Sequence, residues 1–160
     1  MATSTADLCD KYADSVQIAD SIFTDFGGAL DFFGPISTIK CFEDNSQVRK
    51  ALETPGQGRV LVIDGGASDR CALVGDRMAH LAIDNDWAGL IIYGCVRDAA
   101  ELADMPIAIK ALNTNPRRSE KRDSGEQDVA VHFAGARFIP GTWVYGDLDG
   151  IIVADNELAL

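Results

Sequence analysis

"GDRMAHLAIDNDWAGLIIYGCVRDAAE", Gly75 to Glu101, sets two kinds of segment end to end. Met78, Leu81 and Ala82 recur at helical spacing, and Leu73 just upstream extends the same stripe. A helix is therefore predicted with Gly75-Asp76 near its start. "AGLIIYG" then runs apolar with almost no alternation, as strands covered on both faces do. "RDAAELAD" follows as a second, short helix. Helix, buried strand and helix in that order are the repeating unit of an α/β sheet.

Working outward, the alternation continues upstream. "GRVLVIDGG" (58–66) is a near-continuous Val/Leu/Ile strand. "EDNSQVRKALE" (43–53) is a helix with an Asp/Asn cap and with Val48 and Leu52 at i, i+4. "GPISTIKCF" (34–42) alternates as a strand, whereas "DFGGALDFFGP" (25–35) reads as loop. "STADLCDKY" (4–12) opens with cap candidates and gives a short helix. Downstream, "MPIAIKAL" (105–112) is a strand opened by Pro106. After "NPRRSEKR" the pattern changes to "DVAVHFAGARFIPGTWVYGDLDGIIVA" (128–154), strands and turns only, with a hairpin at "HFAGARF". The chain thus reads as one α/β domain over residues 1–160, with a mixed or parallel central sheet and an all-β C-terminal part.

Composition narrows the function. Hydrophobic residues make up 47% of the chain, yet no apolar run approaches the roughly 20 residues that span a bilayer. "MATSTADLCDKY" has no basic or apolar signal region. A net charge of −11 argues against direct nucleic-acid binding, which needs clustered Lys and Arg. The one basic stretch, Asn115 to Arg122, reads first as a solvated, mobile loop; the rival reading is a lid or anion-steering loop beside a site for an acidic substrate. Cys9, Cys41, Cys71 and Cys95 have no CxxC spacing, and Cys41 and Cys95 sit in apolar runs. They read as free thiols in a reducing, cytoplasmic setting.

Ligands of open α/β sheets settle beyond the carboxyl ends of the strands. Asp64-Gly65-Gly66 and Gly94 followed by Arg97-Asp98 arrive there, with the Gly75 turn between them. Amides at a helix N-terminus bind anionic oxygen, a guanidinium binds a carboxylate bidentately, and an aspartate offers a hard oxygen to Mg²⁺ or Mn²⁺. Together these suit a 2-keto acid bound to a divalent metal. The competing reading makes Asp98 an N-cap, with Glu101 as its capping-box partner. Neither His80 nor His132 has a ligand-spaced partner, so zinc is not expected. Trp143 and Tyr145 alternate as core or subunit-contact residues. Lys110, one of five lysines, is the one placed for Schiff-base chemistry, although snorkelling to solvent is the expectation for it.

Asp76-x20-Arg97-Asp98, with Glu101 completing R-D-x2-E, resembles the motif of the class II 4-hydroxy-4-methyl-2-oxoglutarate aldolases and the related regulators of ribonuclease E activity (the RraA-like family). "LCDKY", "FGG", "GPISTIKCFEDN", "GRVLVIDGG", "ALVGD", "IKALNTNPR" and "DGIIV" are similar to its landmarks in the same order. The resemblance implies a swivelling β/β/α fold in a homotrimer with sites between subunits. It implies that Gly75, Asp76, Arg77 and Met78 bind substrate, that Arg97 holds the keto-acid carboxylate, and that Asp98 anchors the metal. Asp76 would act as acid or base through a water. The implied activities are cleavage of 4-hydroxy-4-methyl-2-oxoglutarate to two pyruvates and decarboxylation of oxaloacetate. The alternative is a non-catalytic inhibitor that binds ribonuclease E. A menaquinone-pathway methyltransferase, another label in this family, is disfavoured because no glycine-rich S-adenosylmethionine loop follows the first strand. The dedicated aldolases carry a longer C-terminal extension, which leaves the physiological substrate open.

Overall fold

A computed structural model describes residues 4–160; residues 1–3, part of the stretch read above for a signal segment, lie outside the described residues. From the N-terminus the elements are α1 (Thr5–Tyr12), β1 (Val16–Ile18), β2 (Thr24–Asp25), β3 (Phe32–Lys40), α2 (Ser46–Leu52), β4 (Val60–Asp64), β5 (Ala72–Val74) and α3 (Asp76–Asp84). There follow β6 (Gly89–Val96), α4 (Ala99–Leu102), β7 (Ala108–Thr114), β8 (Glu126–Gln127), β9 (Val131–Phe133), β10 (Ala136–Phe138), β11 (Trp143–Asp147) and β12 (Gly150–Ala154).

One mixed sheet runs β1-β12-β11-β3-β4-β6-β7-β2, with β5 added beside β6 and β8 beside β3. β3, β4, β6 and β7 are parallel neighbours. Their order advances in one direction, so right-handed crossovers put α2, α3 and α4 on the same face. The buried side chains agree. Leu61 and Ile63 of β4 and Leu90 and Ile92 of β6 pack with Val48, Leu52, Met78, Ala82 and Leu102 from the helices. The intervening Val60, Val62 and Ile91 face the other way, against Val131, Phe133 and Phe138 of the β9–β10 hairpin. Both faces are covered, which is why these strands read as unbroken apolar runs. The α/β architecture, mixed sheet and all-β C-terminal part match the sequence reading.

β3 joins the two halves. Phe32–Pro35 pair antiparallel with β11, and Ile36–Lys40 pair parallel with β4. The expectation of loop over residues 25–35 is therefore corrected for its last four, and also for Asp25, which belongs to β2. Phe32 lies across Gly146 of β11, where a Cβ would come within 2.3 Å of the ring. That cross-strand fit fixes the strand although Gly34-Pro35 reads locally as a turn. Leu73 is also corrected. It belongs to β5, not to the helical stripe, and a three-residue strand is too short to show alternation in sequence.

α1 starts as expected, with the Ser4 hydroxyl accepting from the Asp7 N–H at 3.1 Å. It packs Leu8 beside Tyr145 and Ile152 on the outside of the antiparallel half. Tyr145 is core, and its hydroxyl accepts from the Leu158 N–H at 2.7 Å. The Asp147 carboxylate closes the β11–β12 turn and ties the Thr5 N–H and hydroxyl to it. The four cysteines are free, with Cys41, Cys71 and Cys95 buried. Burial, aided by the charges of Asp44 and Asp64, pushes the Cys41 thiol up to about 12. No helix among the described residues is long and apolar enough to cross a membrane.

Candidate active site

β5 builds the site. It pairs in parallel with the last residues of β6, Ala72 against Cys95 and Val74 against Val96. The Arg97 N–H then donates to the Val74 carbonyl at 3.0 Å. This brings the Gly75-Asp76 start of α3 against Arg97-Asp98, although twenty residues separate them in sequence. Gly75, Asp76, Arg77, Met78, Arg97 and Asp98, the six residues to which the family resemblance gives roles, line one cleft of about 910 Å³.

Asp98 has φ 62° and ψ 40°, in the left-handed region, which aspartate tolerates better than most residues. Eight described non-glycine residues have positive φ, but of these only Asp98 lines the cleft. Although it occupies the N-cap position of α4, its side chain makes no capping bond there. The capping-box reading with Glu101 is corrected: Asp98 Oδ2 instead accepts from the Asp76 N–H at 3.0 Å, capping α3 from outside. Gly75 makes room for this. A Cβ there would lie 2.5 Å from Asp98 Oδ2 and 3.2 Å from Arg97 Cγ. Its backbone is extended, so the demand is for space and not for a special dihedral.

The first intrahelical bond of α3 runs from the Ala79 N–H to the Gly75 carbonyl at 3.1 Å. The Arg77 and Met78 N–H groups therefore have no acceptor inside the helix and are available to an anion. The Met78 side chain is buried in the core, so only its backbone can serve the site.

Charge sets the cleft apart. It gathers five of the chain's 14 basic residues (Arg49, Arg77, Arg97, Arg118 and Lys121) but only two of its 25 acidic ones, Asp76 and Asp98. Among the described residues no carboxylate pairs with Arg77, Arg97 or Arg118. Arg49 is already paired with Glu53 at 2.8 Å. Lys121 donates to the neutral amide oxygen of Asn45 at 2.9 Å. Of these unpaired cations only Arg97 is half-buried, and there screening is weaker than in open water, which favours a bound anion.

The basic stretch is pinned, which corrects the first reading of it as a mobile loop. Asn115 donates to the Val96 carbonyl, and the Arg117 carbonyl accepts from Ala72 N–H at 2.7 Å. Asp44, wholly buried, accepts from the N–H groups of Arg122 (2.8 Å) and Ser124 (3.1 Å), from the Ser124 hydroxyl (2.8 Å), and from the N–H and hydroxyl of Ser46. Burial alone would raise the Asp44 carboxyl; the bonds from Ser46, Ser124 and Arg122 outweigh it and hold the group well below the usual carboxylate range.

Asp64, Gly65, Gly66 and Gly94 do not line the cleft. A Cβ on Gly65 would lie 2.5 Å from Leu73 Cδ1, so this turn is bare to let β5 pack over it. His80 is exposed and lines the cleft, while His132 is exposed elsewhere. Lys110 does not snorkel. It is buried, with Nζ 3.1 Å from Asp25 Oδ1 and 2.5 Å from the Asp147 carbonyl, and it lies outside the cleft.

No group of three or more His, Cys, Asp or Glu suited to a metal occurs among the described residues. A closed all-protein cage is therefore absent from them. Asp98 Oδ1 and the Asp76 carboxylate remain uncommitted among the described residues. That donor set fits Mg²⁺ or Mn²⁺, which take one or two carboxylates and complete their shell with water and substrate oxygens.

Comparison with known proteins agrees with this architecture. The RraA-like family model, described as Aldolase/RraA, matches residues 5–153. A protein of Alkalilimnicola ehrlichii provisionally named a 4-hydroxy-4-methyl-2-oxoglutarate aldolase is 54% identical over 99% of this chain and 98% of its own length. A structure from Geobacillus kaustophilus, described as an S-adenosylmethionine:2-dimethylmenaquinone methyltransferase, superimposes with TM-score 0.94 at 47% identity, covering 98% of this chain and 97% of that one. The RNA-processing inhibitor RraA from Thermus thermophilis does so with TM-score 0.95 at 39% identity, covering 99% and 96%.

Proposed function

The chain belongs to the RraA-like family, and from that premise we propose that it is a lyase cleaving 4-hydroxy-4-methyl-2-oxoglutarate into two molecules of pyruvate. The observation that carries this reading is the unpaired Arg97 guanidinium held beside the Asp98 carboxylate and the open first turn of α3.

Arg97 grips the C1 carboxylate of the 2-keto acid as a fork. The Arg77 and Met78 N–H groups add donors for anionic oxygen. Asp98, fixed by its bond to the Asp76 N–H, keeps one oxygen free for Mg²⁺ or Mn²⁺. When bound, that cation supplies Lewis-acid polarisation of the keto group, worth several kcal/mol of transition-state stabilisation. Asp76, through a water, takes the proton of the 4-hydroxyl. The C3–C4 bond breaks, its electron pair passes to C3 as the enolate of pyruvate, and C4 becomes the keto carbon of the second pyruvate. The proton then returns to C3. A positioned acid or base of this kind contributes about 10²–10⁴-fold. Oxaloacetate, losing CO₂, leaves the same enolate, so its decarboxylation should accompany the main reaction. In this reading a neighbouring copy in a homotrimer completes the cleft, as the family resemblance implies.

A Schiff base on Lys110, the lysine singled out from sequence, is disfavoured because Lys110 is buried, paired and outside the cleft. The methyltransferase name is not carried over, since the sequence lacks the glycine-rich loop. A second reading, docking onto ribonuclease E as an inhibitor, is favoured by the likeness to the RNA-processing inhibitor and by the acidity outside the cleft. With the cleft's charges set aside, nine basic and 23 acidic residues remain. Retained capture of ribonuclease E by Asp98→Ala protein would support docking independent of catalysis.

The test of the lyase reading is pyruvate release from 4-hydroxy-4-methyl-2-oxoglutarate and from oxaloacetate, with Mg²⁺ and then with EDTA. Metal-dependent release from both is expected. Inactivation by borohydride only in the presence of substrate would overturn the mechanism in favour of a lysine.

A further inference from the structure

The lyase reading uses one wall of the cleft. The opposite wall carries Arg118 and Lys121, for which that mechanism has no task. β5 separates the two walls: Val74 is bonded to Arg97 on one side, and Ala72 bridges Arg118 on the other. With strands spaced about 4.7–4.9 Å, the backbones of Arg97 and Arg118 run about 10 Å apart. Two long side chains lining one cleft from either side of that gap leave room for an anion at each end of a four- to five-carbon chain.

Three further observations point the same way. Arg118 has no carboxylate partner among the described residues, in a chain with 25 acidic residues to choose from. Lys121 is oriented by a neutral acceptor, the Asn45 amide oxygen, so its charge is aimed but not cancelled. The segment carrying both is anchored on either side, by the Arg117 carbonyl to Ala72 and by Arg122 and Ser124 to buried Asp44. With its backbone anchored and Lys121 oriented, this wall loses less entropy on binding an anion than a free loop would.

We propose that Arg118 and Lys121 form a subsite for the second carboxylate, so that the cleft selects 2-keto diacids over 2-keto acids with a neutral far end. The assignment rests on the lyase reading for the keto-acid end of the ligand. It gives the basic stretch a role in specificity instead of in the bond-breaking step, which Arg97, Asp98 and Asp76 carry.

The experiment is calorimetric titration of two uncleaved probes, 2-oxoglutarate and 2-oxobutyrate, into the full chain at one fixed Mg²⁺ concentration. Wild type should bind the diacid at least about tenfold more tightly, as for a charge-assisted contact worth about 1.5–3 kcal/mol. Arg118→Ala should abolish that preference and leave 2-oxobutyrate affinity within about twofold; Lys121→Ala should reduce it, and Arg118→Lys should keep part of it. Arg118 is exposed, and an unchanged thermal midpoint would show that the variants remain folded. Equal affinity of wild type for the two acids, binding of neither, or equal loss of both in Arg118→Ala overturns the subsite. Turnover separates this from the lyase reading. Pyruvate release without diacid preference sinks the subsite alone, and diacid preference without pyruvate release sinks the lyase alone.

Discussion

Lys110, in the middle of β7, and Arg97, one residue past the end of β6, leave adjacent parallel strands and meet opposite surroundings. Lys110 is buried, with Asp25 and the Asp147 carbonyl as partners, beside a cavity of about 100 Å³. Arg97 is half-buried in a cleft of about 910 Å³ with no carboxylate partner among the described residues. In the first case the charge is neutralised within the protein and joins β7 to β2 and to the β11–β12 turn. In the second no carboxylate among the described residues neutralises it, and the proposed reading assigns it to a substrate carboxylate. Burial and strand position differ too, but charge balance is what separates the structural cation from the one the proposed reading assigns to a ligand.

The contrast can be broken most severely at Arg97. Arg97→Ala should lower kcat/KM for pyruvate release by about 10²–10³-fold, the range for losing one transition-state donor, with thermal stability unchanged. Gly75→Ala sharpens the same end of the comparison. Its methyl would collide with Asp98 Oδ2, so activity should fall by up to about 100-fold, as for an ångström-scale misplacement, with a weaker response to Mg²⁺ in titration.

Lys110→Met tests the other side. It strips Asp25 of its partner, and breaking a buried pair in this way costs about 3–5 kcal/mol. Because Asp25 keeps 22% side-chain exposure, a loss of about 2–3 kcal/mol in denaturant unfolding is expected, with activity per folded molecule retained. A loss of turnover without a loss of stability would place Lys110 in the chemistry after all.

The smallest effect concerns Asp44. Asp44→Ala should cost about 2 kcal/mol at neutral pH, since bonds to a buried charged group are lost. Its folded carboxyl is held below the usual range, so its contribution is full above the unfolded value of about 3.9. The contribution fades as pH falls from there towards the folded value. Unfolding curves of wild type and variant should accordingly converge in acid and diverge above about pH 5.

The difference between what sequence reveals and what it hides follows the range of the contacts. The helices and the strands β4 and β6 were legible because burial on both faces leaves a local apolar signature. The six residues around Gly75-Asp76 and Arg97-Asp98 were legible through their motif. β5 was not, being three residues whose pairing with β6 is long-range. The far wall was legible only as the rival reading of the basic stretch, an anion-steering loop beside the site, because Arg118 and Lys121 line the cleft only once Asp44 and Ala72 fix their segment in space. The burial of Lys110 depends on a carbonyl 37 residues away, and no local pattern encodes that. The competing reading of Asp98 as a cap of its own helix fails because its carboxylate accepts from the Asp76 N–H at the start of α3 instead.

Asp98 also offers the most direct test. Pyruvate release from 4-hydroxy-4-methyl-2-oxoglutarate should be measured at saturating Mg²⁺ for wild type and for Asp98→Ala, with folding checked by circular dichroism. The account predicts metal-dependent turnover in wild type and its loss in a folded variant. Equal turnover by both proteins, or none by the wild type, would contradict it, and in the latter case the ribonuclease-docking reading would stand first.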